Sequence, residues 1–130
     1  MLAKMAGMKG TRMFKNYLTY TLAQSFHRSC ACLRIPLEIP NAAAKERLLR
    51  SAENLVHNFA RAVHTQDNKE ESRFLAVALI CLRDCKESLD ESKLPTQNEI
   101  YNQYTLLHGR MEQLCLQAAQ CEGGQMRMLG

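Results

Sequence analysis

Residues 67–91, DNKEESRFLAVALICLRDCKESLDE, decide the fold of this chain. The central run Phe74–Leu82 is apolar at every position, and charged residues flank it on both sides. Asp67 followed by Glu70 has the spacing of a capping box, and no Gly or Pro interrupts the residues that follow, so the stretch predicts a helix of about seven turns. The run is much shorter than the ~20 residues that span a bilayer. We therefore expect this helix to pack inside a bundle on one face and to meet a partner on the other.

Two further helices are predicted before this stretch. Apolar residues recur every three or four positions at 11–33 and again at 42–64, which is typical of amphipathic helices. Asn41 is the predicted N-cap of the second of these helices. The segment between them, RIPLEIP at 34–40, contains two prolines, each of which disfavours helix at the preceding residue. We expect a short extended connection there.

A fourth helix is predicted after Pro95. Thr96 and Glu99 form a second capping-box pattern, and apolar residues then alternate by four and three over three heptads, as in helices packed at small angles. Gly123-Gly124 is the predicted end of this helix. The expected fold class is all-α, an antiparallel up-down-up-down four-helix bundle. Its predicted divisions are a flexible leader at 1–10, the bundle at 11–122 and a flexible tail at 123–130.

Cysteine usage and the first residues point to a cytoplasmic protein without a membrane partner. Of the six Cys, three fall on apolar helix stripes, at Cys81, Cys85 and Cys115, where a free thiol behaves as a small hydrophobe. The segment 1–10 holds no continuous apolar run, so neither a secretory signal nor an anchor is predicted.

Positive charge is concentrated in the first part of the chain. Residues 1–50 carry nine Lys or Arg against two acids, whereas the remainder has a net charge of −3 and the whole chain +4. This asymmetry indicates sequence-independent contact with the phosphates of RNA or DNA; the alternative is a solvated helix face. The candidate nucleic-acid-binding residues are Arg12, Lys15, Arg28, Arg34, Lys45, Arg47, Arg50 and Arg61.

The sequence contains no recognisable active site. It lacks a Gly-rich phosphate loop, a nucleophile elbow and a Glu-x-x-His motif, so we predict no enzyme activity and no cofactor. His57 and His64 share a helix face but lie about 10 Å apart, too far to hold one ion without a third element. Cys81 and Cys85, four residues apart, could ligate zinc or copper, but we interpret them as core thiols and predict no metal site.

The segment 48–89 resembles a family of four-helix-bundle proteins first met as reading frames within intervening sequences of bacterial ribosomal RNA genes. The matching positions are Arg50–Ala52 and Asn58–Ala60 in the second helix, and Glu70–Leu75, Ala78 and Leu82 in the third. Arg61-Ala62 departs from the Glu-Gly of the family pattern.

The accessory variability determinants of diversity-generating retroelements share that fold. The resemblance therefore implies a homo-oligomer, a pentameric barrel, with nucleic acid and a reverse transcriptase as partners. It also suggests that the outer apolar side of the 67–91 helix is a subunit contact, for which the candidates are Phe74, Leu75, Val77, Leu79 and Ile80.

The preferred hypothesis from the sequence is thus an oligomeric bundle that binds nucleic acid. A protein–protein adaptor or structural bundle is the alternative, and a metal or small-molecule bundle using His57, Cys81 and Cys85 is a third hypothesis.

Overall fold

A computed structural model describes the backbone at residues 7–95 and 97–129, and the side chains at 16–95 and 97–120. Within those ranges the chain forms four α-helices and no strand, which confirms the all-helical prediction. Their bounds are Gly7–Ala31 for α1, Ala42–His64 for α2, Asn68–Glu91 for α3 and Glu99–Leu129 for α4.

The start of α3 is fixed by side chains close to it in sequence. Asp67 is the N-cap, and its Oδ1 accepts from the backbone N–H groups of Lys69 (2.8 Å) and Glu70 (3.3 Å). In the predicted capping box the Glu70 side chain would accept directly from the Asp67 N–H; here Thr65 bridges the two residues. The Thr65 hydroxyl donates to Glu70 Oε2 at 3.0 Å and accepts from the Asp67 N–H at 3.3 Å. The donors of the first turn are therefore satisfied locally.

Two other helix starts have caps of the same kind. Asn41 caps α2 as predicted, with its Oδ1 accepting from the N–H of Ala44 at 2.8 Å. At α4 the Asn98 side chain accepts from the Ile100 N–H at 3.0 Å. Thr96, the predicted cap of α4, lies outside the described residues.

The outer ends of α1 and α4 extend beyond their predicted bounds. The first helix begins at Gly7 instead of Thr11, and the prediction that α4 ends at Gly123-Gly124 was wrong, because the helix runs to Leu129. A helical Gly costs about 1 kcal/mol relative to Ala, so it weakens a helix without necessarily ending it. The predicted flexibility of the leader and the tail stays a prediction.

The connection between α1 and α2 is a compact turn, so the prediction of an extended segment was wrong. The backbone N–H groups of Glu38 and Ile39 donate to the carbonyl of Arg34 at 2.9 and 3.1 Å, and the Ile35–Pro36 bond is cis. The Arg34 N–H donates to Glu38 Oε1 at 3.1 Å, and this contact lowers the pKa of the Glu38 carboxyl. Proline restricts its neighbour but is itself a favoured turn residue. The fully buried Ile39 anchors the turn to the core.

The four helices surround one apolar core. Each helix packs against two others: α1 against α2 and α4, and α3 against α2 and α4. The largest fully buried apolar side chains are Phe26, Ile39, Leu48, Leu55, Phe59, Leu75, Leu82, Leu89, Leu107 and Met111. None of the described helices is long and apolar enough to cross a membrane.

Candidate nucleic-acid interface

The side of α2 that faces away from the core is polar along its length. Its members are exposed and recur at steps of four and three: Arg50, Asn54, His57, Arg61 and His64. We call these five residues the α2 outer face. The helix as a whole carries four basic residues against two acidic ones, Glu46 and Glu53. One side of α2 is therefore buried in the core, and the other side presents net positive charge to solvent.

Several predicted basic residues already have acidic neighbours at the surface. The exposed ion pairs are Arg34 with Glu38 (3.6 Å), Arg47 with Glu91 (3.5 Å) and Arg50 with Glu46 (3.0 Å). Exposed pairs of this kind contribute about 0–1 kcal/mol, because water screens them and their side chains lose freedom. A phosphate group can therefore replace the carboxylate at little cost.

Arg61 is held differently, by an aromatic ring of the next helix. Its guanidinium carbon lies 5.7 Å from the centroid of the Phe74 ring, within the range of a cation–π contact. No carboxylate of the described residues lies within 4 Å of the Arg61 guanidinium. A guanidinium over a ring keeps N–H donors at its edge, where they are available to a phosphate.

Arg73 of α3 lies over the same ring, with its guanidinium carbon 5.5 Å from the centroid. Sequence reasoning missed this residue because it considered only the basic residues of the first half of the chain. Arg73 and Phe74 are adjacent in the sequence, so a contact between them could have been expected. The contact of Arg61 with the same ring depends on the packing of the end of α2 beside the start of α3.

Arg28 and Lys45, two other predicted basic residues, do not lie on the α2 outer face. Arg28 is exposed and lines a surface cavity of about 380 Å³ between α1 and α4, together with Glu38 and Glu99. Lys45 is partly buried in a groove that also contains Arg50. Arg12 and Lys15 have side chains outside the described residues.

The five residues proposed for a subunit contact differ in burial. Leu75 and Leu79 are 1% and 8% exposed and belong to the core of their own bundle. Phe74 is partly buried against that core. Val77 and Ile80, at 38% and 56%, face solvent. The contact itself stays a prediction, and only the last two residues offer apolar surface to a partner.

Of the two thiols interpreted as core groups, Cys85 is buried and Cys81 is only partly buried, and Cys30 is a further buried thiol. Burial raises the pKa of Cys30 to about 12, and burial is also the main cause of the raised pKa of Cys85. Both thiols therefore stay protonated near neutral pH, whereas metal ligation and nucleophilic attack need a thiolate. Among the described residues, no three His, Cys, Asp or Glu side chains come together to hold a metal ion.

A buried polar pair connects α1 and α3. Asn16 Nδ2 donates to Glu71 Oε2 at 3.1 Å, and the two residues are 1% and 4% exposed. The sequence placed Glu71 in an acidic helix start, where the expected side chain is solvated, so this pair was not predicted.

Comparison with known proteins adds no relative: no family model, curated protein or solved structure matches the chain.

Proposed function

We propose that this protein is a non-enzymatic, oligomeric four-helix bundle that binds nucleic acid through the α2 outer face. The observation that carries the proposal is the exposed basic row of α2, in which Arg61 is oriented by Phe74 and has no carboxylate partner within 4 Å among the described residues. A row of arginine, histidine and asparagine side chains along one helix face suits contact with the phosphates of a nucleic acid.

The proposed arrangement of the bundle is antiparallel, up-down-up-down. Contacts between helix ends support it. Arg47, early in α2, pairs with Glu91 at the end of α3, and the Tyr101 hydroxyl, early in α4, donates to the carbonyl of Leu89 at 3.2 Å. On the other side, Phe26, late in α1, lies against Tyr104, early in α4, with ring centroids 6.5 Å apart. Short connections between consecutive helices favour the same topology.

The wider setting is proposed from the sequence resemblance alone. It comprises a cytoplasmic location, a homopentameric assembly and a reverse transcriptase as partner. A mass measurement in solution tests the assembly, and co-purification with a reverse transcriptase encoded beside the gene tests the partner.

The test of nucleic-acid binding uses labelled duplex DNA, RNA and an RNA–DNA hybrid at 50 mM and 200 mM salt. Fluorescence anisotropy of the native protein should show an affinity that falls steeply with salt, because bound phosphates release counterions. The variant R50Q/R61Q removes two α2 contacts, so the slope of log K against log salt on duplex DNA should become flatter by about 1.8.

Arg110→Gln is the matched control, because Arg110 is an exposed arginine of α4, away from the α2 outer face. It should leave affinity and slope unchanged. Absence of binding at the lower salt would refute the proposal, and an equal loss in R110Q would refute the assignment to α2.

A protein–protein adaptor is the second candidate, favoured by large exposed apolar side chains on α4. Leu106 and Leu116 are 50% and 62% exposed. If this surface docks a protein, L106E/L116E should lose capture of that protein from nuclease-treated lysate while keeping native helix content. Equal capture by the variant and the native chain would remove this candidate.

A further inference from the structure

The outward side of α3 carries a short row of four exposed residues, which we call the α3 outer row. Arg73, Val77, Ile80 and Asp84 follow one another at steps of four, three and four, so they lie along one face of the helix. The row reads basic, apolar, apolar, acidic. All four side chains are exposed, and Val77 and Ile80 are among the few large apolar side chains that the described bundle leaves in water.

Neither charged end of this row forms an ion pair with a described residue of its own bundle. No described carboxylate lies within 4 Å of the Arg73 guanidinium, and no described Lys, Arg or His nitrogen lies within 4 Å of the Asp84 carboxylate. Two bases further along the same helix are paired, Arg83 with Glu112 and Lys86 with Asp90, whereas Lys69 and Glu87 have no ion pair among the described residues. The row thus combines unshielded apolar groups with unpaired charges of opposite sign at its two ends.

The order of these residues is self-complementary. When a second α3 helix lies antiparallel against the first, a register that puts Val77 opposite Ile80 also puts Arg73 opposite Asp84. A twofold interface uses the same patch on both copies, so the Val77–Ile80 contact and the Arg73–Asp84 contact each occur twice. One register therefore buries four apolar side chains and closes two ion pairs, whereas a parallel pairing places like charges together.

We propose that the α3 outer row is a contact with a second copy of this chain, related to the first by a twofold axis. The proposal does not depend on nucleic-acid binding. It is an alternative to the homopentamer proposed from the sequence resemblance, because a ring needs two different surfaces that join head to tail, whereas a twofold contact is complete at two copies. The small apolar patch predicts a weak dimer whose stability falls with salt.

The experiment is sedimentation equilibrium of the native chain from about 10 to 500 μM at low salt, with charge-swapped variants. The native chain should show a monomer–dimer equilibrium. In R73D the facing pairs become Asp against Asp, and in D84R they become Arg against Arg. Each variant alone should therefore dissociate at least about tenfold more readily.

An equimolar mixture of R73D and D84R tests the pairing directly. In a mixed dimer both contacts again join an acid to a base, so the mixture should recover the native dissociation constant. The double variant R73D/D84R should likewise pair with itself. R110D, a charge reversal on α4, should behave as the native chain, and far-UV circular dichroism should show that every variant keeps its helix content.

A monomer throughout the concentration range would overturn the proposal. So would a native dimer that R73D and D84R leave unchanged, or a mixture that does not recover. A mass of five chains without a dimer would favour the ring and would also overturn the twofold contact.

Discussion

Leu82 and Ile80 lie in the same apolar run of α3, yet their replacement by Ala should have very different consequences. Leu82 is 0% exposed, so L82A leaves a cavity in the core and should lower the free energy of unfolding by about 3–5 kcal/mol. Ile80 is 56% exposed. The I80A variant loses about 1 kcal/mol of partial burial and regains about half of it from the better helix propensity of Ala. We expect a net change of about 0.5 kcal/mol.

The assay is urea unfolding followed by circular dichroism at 222 nm, at about 2 μM, where self-association contributes little. The two variants should have similar slopes against urea and different midpoints. Equal losses in both variants would refute the orientation of α3. A loss below about 1 kcal/mol in L82A would refute its place in the core.

Three other changes test separate features. Lys93 follows α3 with a φ of 56°, a left-handed conformation that favours glycine, so K93G should raise the urea midpoint by an amount equivalent to about 1 kcal/mol; a lower midpoint would contradict this. N16A removes the buried donor to Glu71 and should lower stability by about 1–3 kcal/mol, whereas N102A at an exposed site should change it by less than about 0.5 kcal/mol. Because the folded pKa of Cys30 and Cys85 is raised, the unfolded chain loses these protons first as pH rises, so the contribution of the two thiols to stability should be constant below about pH 9 and should fall above it. In C30A/C85A this loss of stability above about pH 9 should be absent. Urea midpoints of the variant and the native chain, measured between pH 7 and 10.5, would show the difference.

Local chemistry made most of the helix pattern predictable. Asn41 and Asp67 cap their helices through contacts with residues two or three positions ahead, so the letters alone were enough. Periodicity also predicts which side of α2 is buried, since apolar residues recur there every three or four positions. The α3 run gave no such signal: with every position apolar, Leu75 and Ile80 could not be assigned to different sides until α2 and α4 were in place.

The features that sequence reasoning missed depend on contacts between distant residues. Asn16 and Glu71 meet across the bundle, and Arg61 reaches Phe74 only because α2 and α3 are neighbours. The turn at Arg34–Ile39 was missed because the two prolines were considered only for the helix they exclude. The buried Ile39 and the Glu38 carboxylate hold the turn together, and neither effect follows from proline alone.

The proposed twofold contact has a geometric consequence for nucleic-acid binding. In each copy α2 lies on one side of α3, where Arg61 contacts Phe74, and α4 lies on the other, where Arg83 pairs with Glu112. The twofold axis that relates two antiparallel α3 helices is perpendicular to the plane that contains them. A rotation about this axis leaves α2 of both copies above that plane and α4 of both copies below it. Both α2 outer faces therefore lie on the same side of the dimer. A long nucleic acid can contact both faces and gains affinity from the linkage, whereas a short one cannot.

This arrangement can be separated from simple charge attraction with D84R. That substitution adds positive charge, so charge alone predicts tighter binding of every duplex. If the dimer aligns two α2 faces, D84R should instead weaken binding of a duplex of about 40 base pairs, with no such loss on one of about 10 base pairs. Adding R73D to D84R should restore the affinity for the long duplex. Tighter binding of both lengths by D84R would show that the α2 faces act singly.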